Sequence, residues 1–152
     1  MRLIANGFVT DLPEGWEDRS MITLVGAAGA TGATGATGFA PNVVIMRQRV
    51  APQTNIEAYA REQRAATEAE IDDLEVIDER AATVGGAPAF QRLQRFSAQG
   101  RRLQQAQTYV LGDRVVFILT CTAALEQFND HIAHFRRVVD NFRLFNPESA
   151  RF

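Results

Sequence analysis

Alternating and continuous apolar runs divide this chain into short strands and two helices. Phe8 to Leu12 reads as a strand, closed by a turn at Pro13 and Gly15 that leads past Trp16. Ser20 to Val25 is a second strand. Asn42 to Val50 is a third, and its Val43-Val44-Ile45-Met46 run is apolar at both parities. Pro52 ends it. Thr54-Asn55-Ile56-Glu57 matches a capping box, with Thr54 as N-cap and Glu57 at N3. It predicts a helix from about Asn55 to Asp72. The stripe of that helix is Ile56, Tyr59, Ala60, Ala66, Thr67 and Ile71, with Gln63 on it and Glu70 at its edge. Leu74 to Val84 reads as a strand closed by Gly85-Gly86. Ala89 to Ser97 and Leu103 to Leu111 form a hairpin around Gln99-Gly100-Arg101, and Gly112-Asp113 turns the chain into Arg114 to Thr122. That last strand, through Val115-Val116-Phe117-Ile118-Leu119, is apolar on both faces. The final helix is expected to start near Thr122, because Leu125, Phe128, Ile132, Phe135, Val139 and Phe142 recur at steps of three and four.

The sum is an α+β fold: an antiparallel sheet of about seven strands with one internal and one C-terminal helix. A length of 152 residues predicts one domain over 1–152. Two such helices do not readily cover both faces of a seven-stranded sheet. Yet strands that are apolar at both parities need cover on both sides. Loops and helix ends supply it, or another molecule does. Between the second and third strands, five of the eleven glycines recur every third residue from Gly26 to Gly38, separated by Ala and Thr. The tract lacks the prolines of collagen and the Gly-Lys-Ser/Thr of a phosphate-binding loop. Residues 26–38 are therefore expected to be a flexible connector. Residues 145–152 are expected to fray.

Composition narrows the function classes. The formal charge is −2, so nothing in the total suggests nucleic acid; all 16 basic residues are arginine. Cys121 is the only cysteine, which excludes an intrachain disulfide. The chain opens on no apolar run of roughly 7–15 residues of the signal-peptide kind. It contains no stretch of about 18 apolar residues. A soluble cytoplasmic protein that does not itself insert into a membrane is expected. His131 and His134 lie three apart on the last helix, but no Cys or acidic pair completes a metal site. Cys121, near the expected start of that helix, has no local histidine as base and reads as an unreactive thiol. The acidic cluster from Glu68 to Glu79 lacks the spacing and glycine of a calcium loop. Ser20 and Ser97 sit in no nucleophile elbow. No catalytic residue, metal or cofactor is expected, and the chain reads as a non-enzyme.

Neutral amides are the remaining signal. Leu103, Gln105, Gln107, Tyr109 and Leu111 share one face of a strand, which mixes apolar side chains with uncharged hydrogen-bonding groups. A solvated Gln-rich strand accounts for this pattern. So does a surface built to hold an apolar segment that carries some polar groups.

Several stretches together resemble the DcrB-like family in its cytoplasmic branch, the Eag chaperones of type VI secretion effectors. They are Leu12-Pro13-Glu14-Gly15-Trp16-Glu17-Asp18-Arg19-Ser20, Val44-Ile45-Met46-Arg47, Glu57-Ala58-Tyr59 leading to Gln63, Gly85-Gly86-Ala87-Pro88-Ala89, Gln99-Gly100-Arg101 and Gln107-Thr108-Tyr109-Val110. Their order and spacing span almost the whole chain. The resemblance implies a PsbP-like fold and a homodimer. It implies a cytoplasmic chaperone or adaptor that shields the N-terminal transmembrane helices of an effector of the PAAR or Rhs type before export. Carried over by position, the client-binding face comprises Met21 and Thr23 on the second strand, Gln63, Thr67 and Ile71 from the first helix, and Gln107 from the hairpin. Gln63 and Gln107 match the family best, whereas Thr23 and Thr67 are more polar than its pattern. Two alternatives stand beside this reading. One is a PsbP-like protein-binding or assembly factor without membrane-helix clients. The other is an enzyme, or a metal or small-ligand binder, using His131 and His134.

Overall fold

The computed structural model describes residues 2–5, 8–26 and 38–145, the first four by their backbone alone. Strands β1 (Arg2–Ala5) and β2 (Phe8–Asp11) pair with each other. The main sheet contains β3 (Met21–Val25), β4 (Asn42–Arg49), β5 (Glu75–Val84), β6 (Ala87–Ala98), β7 (Arg101–Leu111) and β8 (Val115–Ala124). Helix α1 (Ile56–Glu70) falls between β4 and β5. A 3-10 turn (Leu125–Gln127) leads from β8 into α2 (Phe128–Asp140). The six strands are ordered β3-β4-β8-β7-β6-β5, and every pair is antiparallel. The glycine-rich tract over 27–37 and the tail over 146–152, expected to be flexible, lie outside the described residues.

The hairpins follow from turn chemistry. Gln99 and Gly100 close β6–β7 with φ of 53° and 76°, the pair of positive angles that a two-residue turn of the right twist requires. Gly85 and Gly86 close β5–β6 in the same way, at 57° and 82°. A Cβ on Gly85 would lie 2.9 Å from the Phe142 carbonyl, so the turn also lets the chain after α2 lie against the sheet.

Each face of the sheet carries its own core. On one, Phe128, Phe135 and Val139 of α2 pack with Val43, Val110, Leu119 and Cys121. On the other, Tyr59 and Ala60 of α1 pack with Phe90, Tyr109, Val116 and Ile118. Adjacent β8 residues therefore serve opposite cores, which explains a run that is apolar at both parities. The helices are offset: α2 lies over β8, whereas α1 lies over β6 and β7.

Three sequence expectations are corrected. The N-cap of α1 is Asn55, whose side chain accepts from the Ala58 amide at 2.9 Å, while Thr54 donates to the Ala51 carbonyl instead. Either side chain is competent to cap, so the box is displaced by one residue. The last helix starts at Phe128 rather than near Thr122, because Thr122, Ala123 and Ala124 continue β8 in register with Gln105, Gln104 and Leu103. The first predicted strand, β2, pairs with β1 rather than joining the main sheet.

Candidate functional site

Register places the sequence-predicted residues. The face that carries α1 presents a row from Met21 through Met46 to Ile118 and Tyr109, and beside it a row from Thr23 through Val44 and Thr120 to Gln107. Because α1 covers only the β6–β7 side, β3 and β4 are left open. Met21 is 57% exposed, Met46 39% and Val25 61%; Thr23 is exposed and Val44 partly so. Helix and strands together bound an open, uncharged stretch of sheet, a shallow trough whose floor mixes Met and Val with Thr.

Two contacts show how α1 sits. The Tyr59 hydroxyl donates to Gln48 Oε1 on β4, and Arg64 pairs with Glu79 on β5. The helix edge bearing Tyr59 thus looks toward β4, and Gln63, one turn on along that edge, borders the open side. Thr67 and Ile71 continue the partly buried stripe. Thr67 Oγ1 donates to the Gln63 carbonyl at 2.9 Å, and Ile71 is the extended C-cap residue, its amide donating to the Thr67 carbonyl at 2.9 Å. Met21, Thr23 and Gln107 therefore share one sheet face, and Gln63, Thr67 and Ile71 flank it. The two glutamines are not bonded to each other, because Gln107 is held by its own strand neighbours.

Beneath the helix lies a polar cluster that sequence reasoning missed. Arg92 is 1% exposed. Its Nε donates to Glu79 at 3.2 Å, its Nη1 to the Tyr109 hydroxyl at 3.0 Å and its Nη2 to the Ala60 carbonyl in α1. Tyr109 donates to Gln107 Oε1 at 3.0 Å, and Gln107 Nε2 donates to Thr120 Oγ1 at 3.4 Å. Burial pushes the Tyr109 phenol pKa up, against the pull of Arg92. Alternation from Phe90 through Arg92 and Gln94 to Phe96 was the signal for this cluster, since it puts the arginine on the inward face of its strand. Gln94 Nε2 donates to Gln105 at 2.9 Å, while its own Oε1 is buried without a protein partner.

Elsewhere the chemistry is sparse. His131 and His134 have ring centroids 6.2 Å apart on α2, and among the described residues no group of three His, Cys, Asp or Glu is placed to hold a metal. Cys121 lies in β8 rather than at a helix start; burial pushes its thiol up to about 12, the opposite of an activated nucleophile. A groove of about 630 Å³ lies at the β3 edge between the lead-in residues Trp16 and Asp18 and the sheet, lined by Met21 and Met46 of the α1-side row as well as by Arg47 and Phe117. No helix among the described residues is long and apolar enough to cross a membrane.

Known structures share this architecture. A Pseudomonas aeruginosa protein of unknown function, PA94, superposes with a TM-score of 0.80 at 16% identity, over 96% of this chain and 97% of that one. LpqN, involved in cell envelope biogenesis of Mycobacterium tuberculosis, gives 0.57 at 15% identity, over 85% of each chain. Cyanobacterial PsbP (CyanoP) from Synechocystis gives 0.55 at 12% identity, over 91% of this chain and 85% of that one. At such identities the likeness is one of fold, and the fold is PsbP-like. None of the curated proteins matches in sequence. The DcrB family profile does match, over residues 10–141, most of the chain, and the chain therefore belongs to the DcrB family.

Proposed function

We propose that this chain is a chaperone or adaptor that shields the N-terminal transmembrane helices of a type VI secretion effector, of the PAAR or Rhs type, in the cytoplasm before export. The observation that carries the reading is the open, uncharged half of the α1-side face. Soluble proteins seldom leave contiguous apolar surface uncovered without a partner for it. An apolar helix gains about 25 cal/mol for each Å² removed from water. Membrane helices associate through small side chains and occasional hydrogen bonds. A floor of Met21, Thr23, Val44 and Met46, with Gln63 and Gln107 beside it, offers both kinds of contact. No catalytic step is involved, and the work is binding alone.

The working unit is a homodimer, and β3 is the edge suited to form it. An isologous contact brings each surface against its own copy. β3 carries no charge, so antiparallel pairing about Thr23 sets Met21 against Val25 and Ile22 against Leu24 of the second copy without repulsion. This would join two troughs side by side.

Co-expression with an effector N-terminus tests the client reading. The double variant Gln63→Ala/Gln107→Ala should lower the soluble effector fraction while the chaperone itself stays folded. Full retention of soluble effector would remove these two residues from the site. A second reading, a protein-binding factor without membrane-helix clients, is favoured by the groove beneath Trp16. That tryptophan is 71% exposed beside Arg47 and Arg49, a pairing suited to a polar partner. A captured partner whose contact segment is polar would support this second reading over the first.

A further inference from the structure

Gln107 ends a chain of hydrogen bonds whose direction is set at its far end. Arg92 has hydrogens to give and no lone pair to accept with. Its Nη1 donates to the Tyr109 hydroxyl at 3.0 Å. The phenol has a single hydrogen, and the acceptor it meets at 3.0 Å is Gln107 Oε1. That bond occupies the amide carbonyl. The opposite setting of the amide would turn its NH₂ onto the phenol and strand the Tyr109 hydrogen at a residue only 2% exposed, an unmade buried bond that folding disfavours. Gln107 therefore turns Nε2 toward Thr120 Oγ1, 3.4 Å away on the trough side of the strand. The Nε2 group has two hydrogens, and Thr120 engages one of them at long range.

Arg92 has no freedom to reverse the chain. Glu79 holds its Nε at 3.2 Å, the Ala60 carbonyl of α1 takes its Nη2, and its guanidinium carbon lies 5.5 Å from the Tyr109 ring centroid. Gln63 on α1 differs, because its part-buried side-chain amide has no hydrogen-bond partner among the described residues to set its direction.

We propose that Arg92 and Tyr109 are positioning residues that lock Gln107 as a hydrogen-bond donor, so that the trough selects a helix presenting an acceptor oxygen at that level. The inference rests on the client-binding reading above. The acceptor is either a side-chain oxygen or a backbone carbonyl freed where a proline kinks the helix, since an unbroken helix keeps its carbonyls for itself.

The test uses the full chain and a labelled Leu/Ala peptide of about 20 residues whose central residue is norvaline or its isostere O-methylserine, which differ only by an ether oxygen. A third peptide, with central proline, separates the backbone source from the side-chain source. Wild type should bind the ether or the proline peptide about fivefold tighter than the norvaline peptide, the equivalent of one net hydrogen bond. Tyr109→Phe keeps the ring but frees the amide, and should lose most of that preference while its melting temperature shows it folded. Gln107→Glu still accepts from Tyr109 but offers no donor, and should reverse the preference. Equal binding of all three peptides by wild type, or a Tyr109→Phe protein with the full preference, would overturn the proposal. In the free labelled protein the Tyr109 hydroxyl proton should exchange slowly and the Gln107 side-chain carbon should shift in Tyr109→Phe. A fast-exchanging hydroxyl overturns the locked amide whether or not any peptide binds. A slow one with no peptide bound removes the client reading and the acceptor preference with it, yet keeps the orientation of Gln107.

Discussion

β5 and β3 close opposite edges of one sheet, and their sequences handle the exposed ladder of backbone groups differently. β5 is ten residues long, carries Glu75, Asp78, Glu79 and Arg80, and has a register break between Val76 and Asp78. Charges and bulges of this kind stop an edge from pairing with another chain. β3 is five residues, Met21-Ile22-Thr23-Leu24-Val25, all exposed, with no charge and no break in its pairing to β4. Each edge also borders a different half of the α1-side face. Near β5, α1 is tied down through Arg64, Glu79 and Arg92. Near β3 the floor is open, with Met21, Thr23 and Val25 exposed and the lead-in over 12–20 bordering it at Met21 and Met46. One half of the sheet is thus finished by its own chain, and the other half is left exposed, which is the half the proposed client would use.

The sharpest way to break this contrast is to place the same charge on each side. Met21→Asp should abolish retention of a co-expressed effector N-terminus in the soluble fraction. Its folding stability should stay within about 0.5 kcal/mol of wild type, as for exposed sites generally. Ala81→Asp, exposed on the same face of β5, should leave retention intact. Equal losses from the two variants would mean that the edges are not functionally distinct.

Next in size is the effect at the proposed dimer contact. Antiparallel β3 pairing puts Thr23 opposite Thr23 of the second copy, and Cys121 is buried and out of competition. Thr23→Cys should therefore convert most of the protein to a disulfide-linked dimer under mild oxidation, read on a non-reducing gel. Thr83→Cys on β5 should stay monomeric. A β5 variant that crosslinks as well as the β3 one would exclude the proposed axis.

On the β5 side, removing Arg92 leaves Glu79 short of its buried partner. Arg92→Met should cost about 3 kcal/mol, the usual penalty for breaking a buried pair from one side. The value is set by Glu79 being part-exposed and still paired with Arg64. Urea unfolding measures it. A loss smaller than that of a surface residue would mean that the cluster does not hold α1 in place.

How far the sequence shows this contrast depends on the range of the interaction. Turn chemistry is local, so the Gln99-Gly100 and Gly85-Gly86 hairpins are readable directly, and so is the α2 stripe from Phe128 to Phe142. The start of α2 is not, because Thr122 to Ala124 suit a buried strand as well as a first helical turn. β1 gives no signal, since its four residues have only β2 to pair with. For the site, the two-residue period of a strand is enough to put Gln105, Gln107 and Tyr109 of β7 on one face. The role of Tyr109 is hidden in the sequence, because it depends on Arg92 standing next to Gln107 across β6–β7, and register is a property of the folded sheet.

The smallest effect concerns how each edge is tethered. An aspartate pins the segment before each strand. Asp18 accepts from the Ser20 amide at 2.8 Å and from its hydroxyl, and pairs with Arg47. Asp73 accepts from the Ser97 amide at 3.0 Å and from Arg102 at 3.0 Å. Both carboxyls are held below their ordinary pKa, chiefly by the Ser20 side chain for Asp18 and by Ser97 for Asp73. A depressed folded-state pKa means that the tether is at full strength above the unfolded value, about 3.9, and fades as pH falls through the folded value. Trp16, the only tryptophan, sits two residues from Asp18 and lines the same groove as Asp18 and Arg47, so it reports on that end of the sheet. Its fluorescence should show a small acid step below about pH 4 that precedes global unfolding. Asp18→Asn should remove the step, and Asp73→Asn should leave it unchanged. A step that survives Asp18→Asn would place the acid-sensitive contact elsewhere and leave the lead-in to β3 without its proposed anchor.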